Sequence, residues 1–145
     1  MKNGLYIVAT PIGNLSDISP RAVETLKAAD VIACEDSRVT KKLFSLLGIS
    51  LQKTFIVLHD HNENEQAQKI IDLIQSGKSV AQVSDAGSPL ISDPGYKLIK
   101  SCREAGVYIT TLPGCCALIS ALQLSGLPTN RFMFVGFIPN KDKGR

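Results

Sequence analysis

Long apolar runs are missing from this 145-residue chain: no stretch reaches the ~20 apolar residues that a membrane-spanning helix needs. Residues 1–6 also lack the basic, apolar and small-residue succession of a secretory signal, so a cytoplasmic location without membrane contact is expected. Histidine is scarce, and the two present, His59 and His61, are not at helical ligand spacing. The four cysteines, Cys34, Cys102, Cys115 and Cys116, include no C-x-x-C pair. Neither structural zinc nor a disulfide framework is therefore expected, and Cys34 and Cys102 read as small buried hydrophobes. No internal repeat or low-complexity tract is visible.

What is present is the composition of an ordinary globular domain, with 44% hydrophobic residues, 20% charged residues and a net charge of +3. Such a small positive excess is only a faint pointer to nucleic acid. Short apolar runs at residues 5–9, 31–34, 54–58, 79–83 and 107–112 alternate with amphipathic runs. That rhythm predicts an α/β fold: an open, five-stranded, mostly parallel sheet with helices on both faces. Helix punctuation supports it. Ser19 with Pro20 opens the first helix, Ser37 and Gly48 bracket the second, and Asn62 with Glu65 has the spacing of a capping box before a third that Gly77 closes. Asp93 with Pro94 opens a fourth, closed by Gly106, and an almost uniformly apolar run at 115–125 predicts a buried fifth.

After Gly126-Leu127-Pro128 the pattern changes, and RFMFVGFI at 131–138 predicts a new strand with no successor. Residues 1–127 thus read as one domain and 128–145 as the start of a second, with the ending NKDKGR as a cut.

Ligands of open α/β sheets bind beyond the carboxyl ends of the strands, so the loops after the strands are the ones to search. They read TPIGN at 10–14, EDSR at 35–38, HDHN at 59–62, VSDAGSPLISDPG at 83–95 and PGCC at 113–116. Familiar nucleotide motifs fail among them. Gly77-Lys78-Ser79 ends like a phosphate-binding loop, but position 72 is Asp where that loop needs its first glycine. The first loop has one glycine, Gly13, where a dinucleotide fold needs three. The loop at 83–95 is far longer than a connection requires, and Gly87, Gly95, Pro89 and Pro94 give it a backbone suited to wrapping a small ligand. Glu35, Asp36, Asp60, His59 and His61 are the acid–base candidates on the same rim. Arg38 is a candidate phosphate ligand, and Lys41 and Lys42 extend the basic cluster.

TPIGNLSDISPRA, CEDSR, HDHNE, VSDAGSPLISDPG and LPGCCA, in this order and spacing, resemble the ribosomal RNA small subunit methyltransferase I family of the tetrapyrrole-methylase-like superfamily. The likeness runs from about residue 4 to residue 145; Cys115 departs from it, standing where the family usually has proline. The resemblance implies a tetrapyrrole-methylase-like N-terminal domain that uses S-adenosylmethionine to methylate the 2′-hydroxyl of a cytidine in 16S ribosomal RNA. Implied partners are the small ribosomal subunit or its RNA and a second copy of the chain. By position it implies cofactor contacts at Pro11, Asp85, Ala86, Gly87, Ser88, Leu90, Ile91, Gly114 and Cys115, and catalytic roles for Glu35, Asp36 or Arg38. Two other readings stay open: a small-molecule methylase of the same superfamily, and a non-catalytic nucleotide- or RNA-binding module.

Overall fold

The computed structural model describes residues 1–140; residues 141–145, most of the stretch read as a cut ending, lie outside the described residues. Five strands form: β1 (Gly4–Val8), β2 (Val31–Cys34), β3 (Thr54–Val57), β4 (Ser79–Gln82) and β5 (Ile109–Leu112). They alternate with helices α1 (Pro20–Ala28), α2 (Ser37–Leu47), α3 (Glu63–Gln75), α4 (Tyr96–Glu104) and α5 (Ala117–Leu124). The sheet runs β3-β2-β4-β1-β5, and every pair in it is parallel.

Period-two alternation sends the strand side chains to two cores. Leu5, Val31, Ala33 and Val80 meet Ala67, Ile70 and Ile74 of α3 and Leu98 and Cys102 of α4 on one face. Tyr6, Val8, Ile32 and Ala81 meet Ala22 and Leu26 of α1 and Phe44 of α2 on the other. Central β4 is buried along its whole length, as a strand covered on both faces must be. Cys34 and Cys102 are indeed core residues, and burial pushes the Cys102 thiol up to about 11.

Local chemistry explains most helix ends. The Ala22 N–H donates to Ser19 Oγ at 3.0 Å with Pro20 in the first turn of α1, and Gly48 closes α2 in the left-handed region at φ 69°. Other expectations are corrected. Asn62 does not form a capping box with Glu65, because its side chain folds back to accept from the His59 N–H at 2.9 Å and to donate to the Val57 carbonyl at 2.9 Å. Helix α4 begins at Tyr96 after Gly95, without a cap from Asp93. Its orphan Leu98 N–H instead donates to Oε1 of Glu63, a buried side chain at the start of α3, at 3.0 Å.

The larger corrections concern the last forty residues. Helix α5 is shorter than expected and buries none of its residues, Leu124 being 88% exposed. Residues 131–138 form no strand, since a strand persists only beside a neighbour that completes its ladder, and none flanks them among the described residues. Met133 and Phe137 stand 84% and 87% exposed.

Glu63→Ala strips α4 of its cap and leaves a buried N–H unpaired, a loss of about 1–3 kcal/mol. Urea unfolding should show that loss, and Glu63→Gln, which keeps an acceptor oxygen, should recover a large part of it.

Candidate functional site

Adjacent strands β1 and β4 send their connections to opposite faces, α1 to one and α4 to the other, so their loops part above the sheet as at the switch point of a doubly wound fold. The loops are tied together before they diverge. The Thr10 N–H donates to the Gly87 carbonyl at 2.9 Å, and the Gly87 N–H donates back to the Thr10 carbonyl at 3.1 Å. Buried Ser84 donates its hydroxyl to the same Gly87 carbonyl at 3.0 Å. The loop after β5 joins through Ser88, whose hydroxyl donates to the Cys115 carbonyl at 2.9 Å. Gly114 permits that approach, because a Cβ there would lie 2.9 Å from the Ala9 Cβ.

The 83–95 loop is strained as well as long. Leu90 and Ser92 hold φ of 76° and 58°, the left-handed region that non-glycine residues adopt at a cost of roughly 1–2 kcal/mol each. The folded-over loop walls an open cleft of about 260 Å³. Of the residues expected to touch a cofactor, Ala86, Gly87, Ser88 and Ile91 line it. Cys115 and Gly114 stand behind through the contacts above, while Pro11, Asp85 and Leu90 lie outside the lining. Six further lining residues are not among the cofactor contacts expected from sequence: Ile12, Asp93, Cys116, Ala117, Leu118 and Phe134. Asp93 belongs to the 83–95 loop but its place before Pro94 predicts a helix opener, and Phe134 belongs to the segment whose pattern predicts a strand.

Glu35, Asp36 and Arg38 converge on the same rim, where each is hydrogen-bonded to a neighbour. The Asp85 N–H donates to Glu35 Oε1 at 3.1 Å, and the Asp36 N–H donates to Asp85 Oδ1 at 3.2 Å. This reciprocal latch joins the loops after β2 and β4. Asp36 also accepts the Arg38 N–H at 2.9 Å and takes the guanidinium bidentately, at 3.2 and 3.0 Å, so that Arg38 holds its carboxyl below the usual range. His59, Asp60 and His61 belong to a self-contained turn in which the His61 N–H donates to His59 Nδ1 at 3.2 Å. No cluster of three or more His, Cys, Asp or Glu residues able to hold a metal occurs among the described residues.

Burial raises the carboxyl pKa of Glu35, the Asp93 and Asp85 charges adding to it and the Asp85 amide opposing. Burial likewise raises Asp93, again with the Asp85 charge. The rim is therefore an acidic, partly desolvated surface suited to a cationic ligand. A glutamate whose pKa is raised on folding binds protons more readily in the folded chain, so its contribution to stability falls as pH rises above the ordinary glutamate range. Glu35→Gln keeps the acceptor for the Asp85 N–H while removing the charge, and should flatten that fall in thermal melts taken across pH. Glu35→Ala removes the acceptor too and should lie about 1 kcal/mol below Glu35→Gln at every pH.

Residues 4–144 match the family of tetrapyrrole (corrin/porphyrin) methylases. The chain is 53% identical over 141 residues to the ribosomal RNA small subunit methyltransferase I of Escherichia coli O157:H7, covering 97% of this chain and 49% of that protein. It is 57% identical to the protein of that name from Vibrio cholerae, again over 97% of this chain and 48% of the relative. The chain thus spans about half the length of the curated relatives it matches. Among solved structures, a diphthine synthase superposes with a TM-score of 0.69 at 21% identity, covering 89% of this chain and 51% of that one. The uroporphyrin-III C-methyltransferase of Thermus thermophilus superposes at 0.63 and 21% identity, over 88% and 55%. At that identity the two structures speak for the fold alone. The expected resemblance to ribosomal RNA small subunit methyltransferase I is borne out, and the chain belongs to the tetrapyrrole (corrin/porphyrin) methylase family.

Proposed function

We propose that this chain supplies one wall of an S-adenosylmethionine-dependent methyltransferase that modifies the 2′-hydroxyl of a cytidine in 16S ribosomal RNA. The observation that carries this reading is the cleft at the junction of the loops after β1, β4 and β5, lined by Ala86, Gly87 and Ser88 with the carboxylate of Asp93. Small residues leave backbone amides and carbonyls available to a ligand. Asp93 adds the negative charge that a sulfonium or ammonium group favours. At about 260 Å³ the cleft falls below the ~300–1,000 Å³ of a complete small-molecule site, which accords with a second wall being supplied from elsewhere. Residues 128–145 as the opening of a second domain fit the same scheme. Over the 141 aligned residues the relatives named for ribosomal RNA are 53% and 57% identical to this chain, against 21% for the uroporphyrin enzyme, which favours RNA over a small-molecule acceptor.

S-adenosylmethionine, when bound, supplies an electrophilic methyl group on sulfur. The chain's part is to hold it in line with the acceptor oxygen, since alignment accounts for much of the rate of such displacements. With Glu35 latched to Asp85 and Asp36 closed on Arg38, these residues serve that alignment better than they serve proton transfer. The exposed apolar groove of about 610 Å³ between α5 and residues 127–134 supports a homodimer or a second domain as its cover. A cytoplasmic location follows from a ribosomal substrate.

A protein of the relatives' full length, given labelled S-adenosylmethionine and unmodified small subunits, should place label on one ribose 2′-oxygen. Cofactor binding without transfer would overturn the ribosomal assignment. Asp93→Asn should weaken cofactor binding about tenfold in calorimetry, the worth of one charge-assisted contact of about 1.5 kcal/mol. The parent's affinity should fall as pH drops through the raised Asp93 pKa, at a higher pH than for an ordinary aspartate, and the variant should lack that fall.

A further inference from the structure

Helix α2 starts at the latch and runs away from the cleft with the sequence SRVTKKLFSLL, which contains three cations and no acid. Its buried side is fixed by Thr40 and Phe44. Arg38, Lys41 and Lys42, spaced i, i+3, i+4, therefore share one exposed face, with uncharged Ser45 completing the row. The aliphatic stem of Lys41 is steadied where its ammonium stands 5.0 Å from the centre of the Phe55 ring on edge strand β3. Lys42 has no ion pair among the described residues, and the side chain of Arg38 remains 90% exposed even in its pair with Asp36. Lys53, the next cation along the chain, is not part of this face. Its ammonium is spent on the Lys27 and Ala29 carbonyls at 2.7 and 2.6 Å.

We propose that this face of α2 is the docking track for a single-stranded stretch of RNA, its phosphates lying along Arg38, Lys41 and Lys42 on the way to the cleft. The inference rests on the reading of the substrate as RNA and adds where that RNA lies. Charge complementarity selects the ligand class. The cleft side of the rim is acidic through Glu35, Asp85 and Asp93 and repels a phosphate backbone, whereas α2 is the adjoining surface of opposite sign. Continuity supplies the geometry, since Asp36, which caps α2 and holds Arg38, is hydrogen-bonded through its N–H to Asp85 in the cofactor loop.

Each phosphate contact on a single strand contributes about 0.7 to the slope of log affinity against log salt concentration. Binding of a short fluorescein-labelled single-stranded RNA, followed by anisotropy from low to moderate salt, should therefore give a slope shallower by about 1.4 in Lys41→Gln/Lys42→Gln than in the parent. Over a fourfold salt increase that is about a sevenfold difference in the loss of affinity. Lys42→Gln alone, which disturbs no packing, should show about half the change in slope. Lys69→Gln/Lys78→Gln, on α3 and at the opposite rim, should match the parent, and cofactor binding should be the same in all. A parental slope in the Lys41/Lys42 variant overturns the docking track, whatever the transfer assay gives. A duplex DNA of matched length that depends on the two lysines as strongly as the RNA does overturns the RNA assignment in favour of a general polyanion patch. Methyl transfer that fails while the slope difference holds removes the catalytic reading and leaves the track standing.

Discussion

The pair of hydrogen bonds between Thr10 and Gly87 is the constraint on which the site depends. Parallel β1 and β4 are held by their ladder only as far as their last residues, beyond which the chains leave for opposite faces of the sheet. Without a tie at the top, the connections at 9–19 and 83–95 would be free to separate, and the entropy of ordering them would oppose any bound ligand. The bridge supplies that tie in a buried setting. Thr10 is 1% exposed and Ser84 3%, so the bonds are shielded from competing water, and the Gly87 carbonyl, accepting from both the Thr10 amide and the Ser84 hydroxyl, is fully used. Glycine is favoured there by φ of 85°, and an added Cβ would also press on Ile12, whose Cγ2 would stand 3.2 Å away.

From this knot the electrostatics of the rim follow. Holding the 83–95 loop against the loop after β2 brings Asp85, Asp93 and Glu35 near one another, and partial burial makes their mutual repulsion felt. The Glu35–Asp85–Asp36 latch offsets that repulsion by giving two of the three carboxylates a backbone N–H. The strained φ values at Leu90 and Ser92 belong to the same arrangement, since the loop must reverse direction to present Asp93 beside Ala86. A net charge of +3 conceals a sharp segregation, acidic around the cleft and basic along α2. Summed over the chain the two nearly cancel, which is why total charge said so little about a partner.

What the sequence made legible was whatever local chemistry decides. Apolar runs bounded by turn residues located all five strands, and the parallel order followed from their alternation with helices. Ser19 and Gly48 marked helix ends because a cap acts over three or four residues. The failures share the opposite property. Asn62 and Glu65 have the spacing of a box, but the amide of Asn62 was drawn to His59 and Val57, and the cap of α4 came from Glu63, thirty-five positions before Leu98. Glu35, Asp36 and Arg38 stand together on the rim because they follow one strand, yet the latch that engages Glu35 and Asp36 depends on which strands are neighbours. Asp93 was overlooked as a cleft residue for the same reason, because its position is set by a loop shape that no spacing rule encodes.

Helix α5 shows where periodicity alone misleads. A helix apolar all round is ordinarily buried, yet both faces of this sheet are already covered by α1 to α4, and α5 is left outside the two cores. Its apolar surface therefore does no work in holding the sheet together. Ala117, Leu118 and Phe134 border both the apolar groove and the cleft beneath the 83–95 loop. Any body that covers the groove also bounds the cleft, and any ligand that fills the cleft buries part of the same Phe134 ring. Burial of the same three side chains is thus common to both events, which joins the open edge of the cleft to the one apolar surface that the sheet leaves uncovered among the described residues.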